Sequence, residues 1–285
     1  MSQYLCPRRP ARPVPVAARR IGAQLAVLRL DANLDVGEAA QVGRIRPEGL
    51  LAAEYGEEVL GRLARNRLLN AYRATEQQRE DLASVLRILR APDQDWTDDG
   101  RGHRRRRAAI EAPAQLMRIW VQTKFPAILR TPSYARVVDR HSGSVDERDL
   151  AAATARSEVF AAGRAGRAVV LLEEPFVRRV VGSRAVMAEQ LAHLLHLQDT
   201  GLIGLRVLPA AARVPPHPPV VQLDFGSGRG RLAYGELELC TVYHTGPSQL
   251  DEFQQGFAGA WKRTLSLGES RELIAAAITH HQAGW

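Results

Sequence analysis

The fold of the N-terminal third is decided by residues 36–56, VGEAAQVGRIRPEGLLAAEYG. Two short segments with helical spacing are separated here by a turn, and the second of them opens at Arg46-Pro47. The small residue Ala40 allows two helices to cross closely, and we expect Gly43 to provide the positive φ of the turn. The stretch therefore predicts a helix, a tight turn and a second helix.

Helical spacing extends outward from this stretch over residues 17–90, where apolar residues such as Ile21 and Leu25 recur mostly every three or four positions. Residues 1–16 are rich in proline and arginine, so we expect a flexible basic arm. Residues 91–107 join an acidic stretch to four consecutive arginines without an apolar period. This segment is interpreted as an Arg-rich linker.

The remaining residues, 108–285, alternate between strand-like and helix-like patterns. Short apolar runs predict strands at 168–174 and 201–209 and a hairpin of 220–225 with 231–239 around the loop GSGRG. Ser266 and Glu269 form a capping-box pattern before the last helix. Helices are predicted at 131–140, 146–163, 184–199, 247–265 and 267–282. The chain thus reads as an N-terminal all-α bundle followed by a mixed α/β domain with a small sheet.

Residues 17–90 resemble, without a gap, the helix-turn-helix family of Cro and lambda repressor, also called the xenobiotic-response-element family. The segments IGAQLAVLRLDANL and VGEAAQVG are similar to its first two helices, Glu54-Tyr55-Gly56 to its Glu-x-Gly, and LLNAY (68–72) to its Leu-Leu-x-x-Tyr. The resemblance implies a DNA-binding domain that pairs into a homodimer, because readers of this kind usually occupy two half-sites.

The third helix departs from the family where DNA bases would be read. A helix starting at Arg46 would bury Leu50 and Ala53 and turn Glu48 and Leu51 outward, together with Ala52 and Tyr55. Base readout relies on Arg, Lys, Asn or Gln at such positions. The sequence therefore predicts DNA contact mostly through phosphates, and a helix-turn-helix kept as a scaffold or dimer surface stays an alternative.

The positive charge is concentrated in the first third of the chain. Residues 1–107 hold 20 arginines against 14 acidic residues, a net charge of +6, whereas the remainder holds 19 basic and 17 acidic residues. Arginines near helix N-termini, in basic arms and in basic runs commonly meet phosphates. The predicted DNA-binding residues are Arg44, Arg46, Arg19, Arg20, Arg104 and Arg105.

The segment IEAPAQLMRIWVQTKFPAILRTPSYARVV (110–138) resembles the opening of the uncharacterised domain that follows such helix-turn-helix modules in many Streptomyces-type regulators. That domain has a Pro-x-x-Leu-x-Thr-x-x-Tyr-Ala-Arg core, and further matches cover nearly all of 108–285. The resemblance implies a role in sensing or partner binding. Ligand pockets place a few polar groups among apolar ones, so the predicted pocket residues are Tyr134, Arg136, Tyr234 and Glu236.

Three further patterns have simpler interpretations. Glu174 and Arg178 are four apart and predict an ion pair on a helix, and Gln190 is expected to bridge groups within the core. His193 and His196 share a helix face, but no third ligand has diagnostic spacing, so neither a metal nor another cofactor is expected.

The two cysteines, Cys6 and Cys240, form neither a disulfide framework nor a metal pattern. No apolar run approaches the roughly 20 residues that span a bilayer, so we expect a cytoplasmic protein without a membrane partner.

Two functions are compatible with these patterns. The first is a helix-turn-helix transcriptional regulator with a degenerate DNA-reading helix, whose C-terminal domain senses a small molecule or a protein partner. The alternative is a repurposed biosynthetic enzyme or accessory protein of specialised metabolism that binds a small molecule in the C-terminal domain. Catalytic residues are unknown, because neither cysteine nor any serine belongs to a recognisable catalytic signature.

Overall fold

The structure is a computed structural model that describes residues 15–88, 95–141, 147–163, 166–226, 228–237 and 239–283. The chain divides into two compact units. The helical unit consists of residues 1–90 with 224–231, and the α/β unit of residues 91–223 with 232–285. The arginines expected in the basic arm, Arg8, Arg9 and Arg12, lie outside the described residues.

The helical unit is all-α, as predicted. Its helices are α1 (Val16–Asp31), α2 (Val36–Gly43), α3 (Pro47–Glu54), α4 (Arg62–Ala71) and α5 (Glu76–Ile88). Helix α2 begins with a capping box in which Asp35 and Glu38 satisfy each other's backbone N–H groups. The helices enclose a core that includes Ile21, Leu25, Leu50, Leu68 and Leu82.

Helices α1 and α3 cross closely because α1 carries a glycine at the crossing. A Cβ atom on Gly22 would lie 2.3 Å from the carbonyl oxygen of Ala53. Next to this crossing, Arg29 donates to both carboxylate oxygens of Glu54, at 2.6 Å and 2.9 Å, and both side chains are buried. A bidentate pair of this kind fixes direction as well as distance, so α3 is held firmly against α1.

The turn between α2 and α3 corrects one expectation about its conformation. Arg44, not Gly43, adopts the left-handed conformation, with φ 54° and ψ 49°. Gly43 is buried instead, and a Cβ atom there would approach Leu68 to 3.1 Å. The small residue is therefore required by packing against α4, whereas the backbone strain falls on the exposed arginine.

The α/β unit is built on a seven-stranded sheet with the order β1-β7-β6-β5-β2-β3-β4. Strands β2, β3 and β4 run parallel, whereas β6–β7 and β7–β1 are antiparallel. This mixed sheet confirms the predicted fold class. The strands are β1 (Trp96–Asp98), β2 (Leu116–Val121), β3 (Arg167–Glu173), β4 (Ile203–Leu208), β5 (Val220–Asp224), β6 (Arg231–Glu236) and β7 (Thr241–His244).

The described helices of the α/β unit pack around this sheet. They are α6 (His103–Glu111), α7 (Pro132–His141), α8 (Glu147–Ala161), α9 (Glu174–Arg178), α10 (Arg184–Asp199), α11 (Pro247–Trp261) and α12 (Leu267–Gln282), with a 3-10 turn at Ala127–Leu129. The capping box of Ser266 and Glu269 at the start of α12 is confirmed. None of the helices in the described part of the chain is long and apolar enough to cross a bilayer.

The expectation of a linker over 91–107 is corrected for its described part. Residues 96–98 form β1, which pairs with β7, and the four arginines 104–107 lie in α6. Arg106 is buried beside Asp98, and Arg107 is buried within an ion pair with Glu111 one turn further along α6. Because acidic partners neutralise these charges, the run forms a packed helix.

The sheet reverses its order of growth at β2. Strands β3 and β4 are added successively on one side of β2, and the chain then returns to place β5 on the other side. In open α/β sheets, ligands bind outside the carboxyl ends of the strands at such a reversal point. The carboxyl end of β2 is therefore the place in the α/β unit where the fold itself favours a site.

Candidate functional site

The turn between α2 and α3 presents two of the predicted DNA-binding residues. Arg44 and Arg46 are both exposed, and Arg46 is the N-cap residue of α3. Leu50 and Ala53 are buried as predicted, and Glu48 is exposed. The first N–H groups and the positive dipole end of α3 thus lie beside two cations, an arrangement that attracts a phosphate.

Arg19 is not available to a phosphate, which corrects its predicted role. Its side chain is buried, its guanidinium lies 3.5 Å above the ring of Phe225, and it donates to the carbonyl oxygen of Arg229 at 2.6 Å. Burial lowers the pKa of Arg19 to about 10. The neighbouring Arg20 is half-buried. Arg19 therefore stabilises the helical unit, in which residues 224–231 are included.

The predicted contacts Arg104 and Arg105 lie on α6, and both are half-buried. The next residue, Arg106, donates to the two carboxylate oxygens of Asp98 at 2.7 Å and 2.5 Å. The second half of the basic run is therefore held by acidic partners, and the run lies in a packed helix rather than in the linker where the phosphate-binding prediction placed it.

Glu236, a predicted pocket residue at the end of β6, is surrounded by cations. Arg130 donates to its Oε1 at 2.8 Å, Lys124 lies 3.4 Å from the same oxygen, and Arg107 lies 3.4 Å from Oε2. Although burial alone would raise the pKa of Glu236, the charges of Arg107, Arg130 and Lys124 hold it well below its usual value. Glu236 is a fixed anion, so it is unsuited to acid/base chemistry near neutral pH.

Tyr234, a second predicted pocket residue, lies on the same strand, but its side chain is fully buried. Its hydroxyl donates to Glu111 Oε1 at 2.5 Å. Glu111 also approaches Arg107 at 3.5 Å and Arg156 at 3.9 Å. Burial raises the pKa of Tyr234 well above its usual value. We call the set formed by Arg107, Glu111, Lys124, Arg130, Arg156, Tyr234 and Glu236 the Glu236 cluster.

The other two predicted pocket residues are placed elsewhere. Tyr134 is fully buried, and its hydroxyl accepts a hydrogen bond from the backbone N–H of Phe125 at 3.4 Å. Arg136 is exposed on α7. The structure therefore brings together Tyr234 and Glu236, which Arg107 bridges, and it corrects the expectation that Tyr134 and Arg136 line the same pocket.

A small pocket opens beside the Glu236 cluster at the carboxyl end of β2. Its volume is about 40 Å³. Because it coincides with the reversal of strand order, we call it the switch-point pocket. Its lining consists of Ile119, Trp120, Gln122, Thr123, Lys124, Pro126, Pro219, Val220, Val221 and Glu236.

One aromatic stack and two hydrogen bonds shape the wall of this pocket. The Trp120 indole donates to Glu173 at 3.0 Å and stacks against the His217 ring, with centroids 4.5 Å apart. Gln122 donates to the carbonyl oxygen of His217 at 2.9 Å. The proline-rich segment before β5 is thereby tied to the end of β2, and the pocket has a fixed wall.

A wider groove of about 450 Å³ lies between α8 and α10. His193 and His196 line it, as do Ser157, Glu158 and Glu189. Burial lowers the pKa of His193, and the neighbouring His196 lowers it further. Among the described residues no group of three or more His, Cys, Asp or Glu is arranged to hold a metal ion.

The two remaining interpretations of side chains in the α/β unit are confirmed. Arg178 donates to Glu174 at 3.0 Å. Gln190 is fully buried, donates to the carbonyl oxygen of Leu129 at 2.7 Å and accepts from the N–H of Thr131 at 2.8 Å. Gln190 therefore ties α10 to the 3-10 turn that precedes α7.

The sequence patterns missed most of the Glu236 cluster, namely Glu111, Lys124, Arg130 and Arg156. These residues come from α6, α8 and the loop after β2, and Glu111 is 123 positions from Tyr234. One local signal was present, because Arg107 and Glu111 are four apart, the spacing of a helical ion pair. The other contacts arise only when the sheet forms.

Comparison with known proteins identifies the α/β unit. The family described as "Domain of unknown function (DUF5753)" matches residues 104–276, more than half of the chain. The chain therefore belongs to this family. Neither the curated proteins nor the solved structures contain a match.

Proposed function

We propose that this member of the DUF5753 family is a DNA-binding transcriptional regulator whose helical unit docks on DNA phosphates and whose α/β unit binds a small molecule or a protein partner. The observation that carries the proposal is the α2–turn–α3 arrangement, with Arg44 and Arg46 exposed in the turn immediately before the N-terminus of α3. The resemblance of residues 17–90 to the Cro and lambda-repressor-like family also supports it.

The chemistry of α3 favours weak base discrimination. Of the residues expected to face outward, Glu48 is exposed and Leu51 is half-buried, and neither offers a donor to the groove edges of guanine or adenine. Binding through phosphates depends steeply on salt, with a slope of log affinity against log salt of about −0.9 for each phosphate contacted. The regulator should therefore gain affinity by pairing into a homodimer, since two subunits double the number of phosphate contacts.

The test is a salt-dependent gel-shift titration of the full chain, using DNA from upstream of its own gene and random DNA of equal length. Replacing both arginines, Arg44→Ala with Arg46→Ala, should reduce the salt slope by about 1.8 for each bound subunit, hence by about 3.6 for the homodimer, and weaken binding to both DNAs alike. Arg73→Ala is the matched control, because Arg73 is an exposed arginine of the same unit that lies outside the turn.

Two outcomes would count against the proposal. Equal losses in the double variant and in Arg73→Ala would mean that the turn has no special part in binding. No detectable binding of the unmodified chain at low salt would favour the alternative, an accessory protein or enzyme of specialised metabolism that uses the α/β unit. The cavities at the end of β2 and beside α10 give that alternative its structural support.

A further inference from the structure

We propose that the switch-point pocket binds a small monocarboxylate, whose carboxylate group is held by the ammonium group of Lys124. This inference rests on the sensing part of the proposed function and gives its ligand a chemical class. It is carried by three observations: the position of the pocket in the sheet, the balance of charge around it, and its size and walls.

The position follows from the order of the strands. Gln122, Thr123 and Lys124 continue directly from the carboxyl end of β2, and Val220 opens β5 on the other side of the reversal. In open α/β sheets, residues that follow the carboxyl end of a strand at such a reversal commonly contact a ligand. The pocket is thus at the place where this type of sheet usually holds one.

The charge around the pocket favours an anion. Even when Arg130 is left out of the count, the described part of the cluster contains three cations, Lys124, Arg107 and Arg156, and two carboxylates, Glu111 and Glu236. Glu111 and Glu236 match Arg107 and Arg156 in number, so the surplus positive charge is that of Lys124, which is only partly buried. A bound anion would supply the missing negative charge.

Lys124 is the cation that can reach such a ligand. Its side chain is 30% exposed, whereas those of Arg107 and Arg156 are 3% and 7% exposed. The oxygen of Glu236 nearest to Lys124 already accepts a shorter hydrogen bond from Arg130. An ammonium group has three N–H donors, so Lys124 retains donors that can point into the pocket.

The size and walls of the pocket select the kind of anion. With a volume of about 40 Å³, the pocket has room for a small anionic head group rather than for a large ligand. Trp120, Pro126, Pro219 and Val220 supply apolar surface beside Lys124. A short hydrocarbon attached to the carboxylate would contact these residues on its way to the opening.

The test uses the fact that Lys124 and Lys262 are the two lysines of the chain. Full-length protein labelled with ¹³C at lysine Cε gives two lysine signals, which Lys262→Arg assigns. Titration with propionate should shift the Lys124 signal saturably, with a Kd on the order of 1 mM as expected for a ligand of five heavy atoms. Propionamide, which has the same shape without the charge, should leave it unchanged, and so should sodium chloride of equal ionic strength.

A second measurement separates binding from a purely structural ion pair. Propionate should raise the Tm of the unmodified protein and of Lys262→Met, but not that of Lys124→Met. The proposal is overturned if the Lys124 signal does not move, if both lysine signals drift together, or if inorganic phosphate binds more tightly than propionate. If propionate does not shift the Lys124 signal but DNA binding in the gel shift depends on Arg44 and Arg46, the carboxylate site is rejected and the proposed regulator function is retained.

Discussion

The turn at residues 44–46 and the run at residues 104–107 are the two arginine-bearing segments expected to meet DNA, and the structure gives them opposite environments. Arg44 and Arg46 are exposed, and neither lies in an ion pair that the structure describes. Arg106 and Arg107 are buried, each against a carboxylate. A dense run of positive charge was thus the weaker indication of a nucleic-acid contact, and two separated arginines at a helix start the stronger one.

The difference between them lies in what surrounds each arginine in three dimensions. Arg106 and Arg107 are buried on α6, where they meet Asp98 and Glu236, whereas Arg44 is exposed in the turn after α2. Stability measurements test the role of the run at residues 104–107, and DNA-binding measurements test the role of the turn at residues 44–46.

The largest effect is expected from Glu111→Gln, which removes one of the two carboxylates beside Arg107. Breaking a buried ion pair by removing one partner costs about 3–5 kcal/mol, and because Glu236 remains beside Arg107 we expect the lower end of that range. All four tryptophans, at 96, 120, 261 and 285, belong to the α/β unit, so urea unfolding followed by tryptophan fluorescence reports on that unit. Arg44→Ala, an exposed site, should change the same transition by less than about 0.5 kcal/mol. Equal and small effects would mean that Arg107 is not held by its carboxylates.

A smaller effect is expected from His103, which opens α6. Burial lowers the pKa of His103 to about 4, and the charge of Arg107 adds to the shift. Because the folded pKa lies below the unfolded value of about 6.5, the neutral imidazole contributes its full stability above pH 6.5 and loses it as the pH falls toward 4.

The free energy of unfolding should therefore fall by about 2 kcal/mol between pH 7 and pH 5 through this group alone. His103→Asn should flatten that dependence, and His196→Asn, which alters an exposed histidine, should not. An unchanged pH profile in His103→Asn would show that α6 does not bury a neutral histidine.

Much of the fold could be predicted from the sequence alone. The helices of residues 17–88, the capping box of Ser266 and the hairpin around GSGRG follow local rules of spacing and turn chemistry, and the structure contains them. Strand β2, LMRIWV, was missed because local spacing does not separate a short, mostly apolar run from a segment of buried helix.

The site was less predictable than the fold. Tyr234 and Glu236, two apart on β6, lie in one polar cluster, whereas their role in binding a ligand stays a prediction. Lys124 and Arg130 carried no pattern of their own, because their partner Glu236 is more than 100 positions away. Pairings over such distances depend on strand order, which local spacing does not encode.

The smallest effect concerns the backbone at Arg44. A residue other than glycine in the left-handed conformation costs about 1 kcal/mol or more, so Arg44→Gly should stabilise the helical unit by up to about 1 kcal/mol while weakening DNA binding. Arg73→Gly is the matched control, since Arg73 has φ 52° and lies at the end of α4. It should stabilise without affecting DNA, as measured by far-UV circular dichroism and gel shift. If both Arg44→Gly and Arg73→Gly lose DNA binding, the turn has no special role in that binding compared with the rest of the helical unit.

The three residues of β1 have a consequence for the integrity of the sheet. They precede the span matched by the family, 104–276, yet they pair with β7 and contribute Asp98, the partner of Arg106. A sheet edge without a neighbour is a template on which a second chain can add strands and aggregate. A domain excised at residue 104 would leave β7 as such an edge, whereas one that begins before Asp95 keeps it covered by a short strand that is itself a poor template.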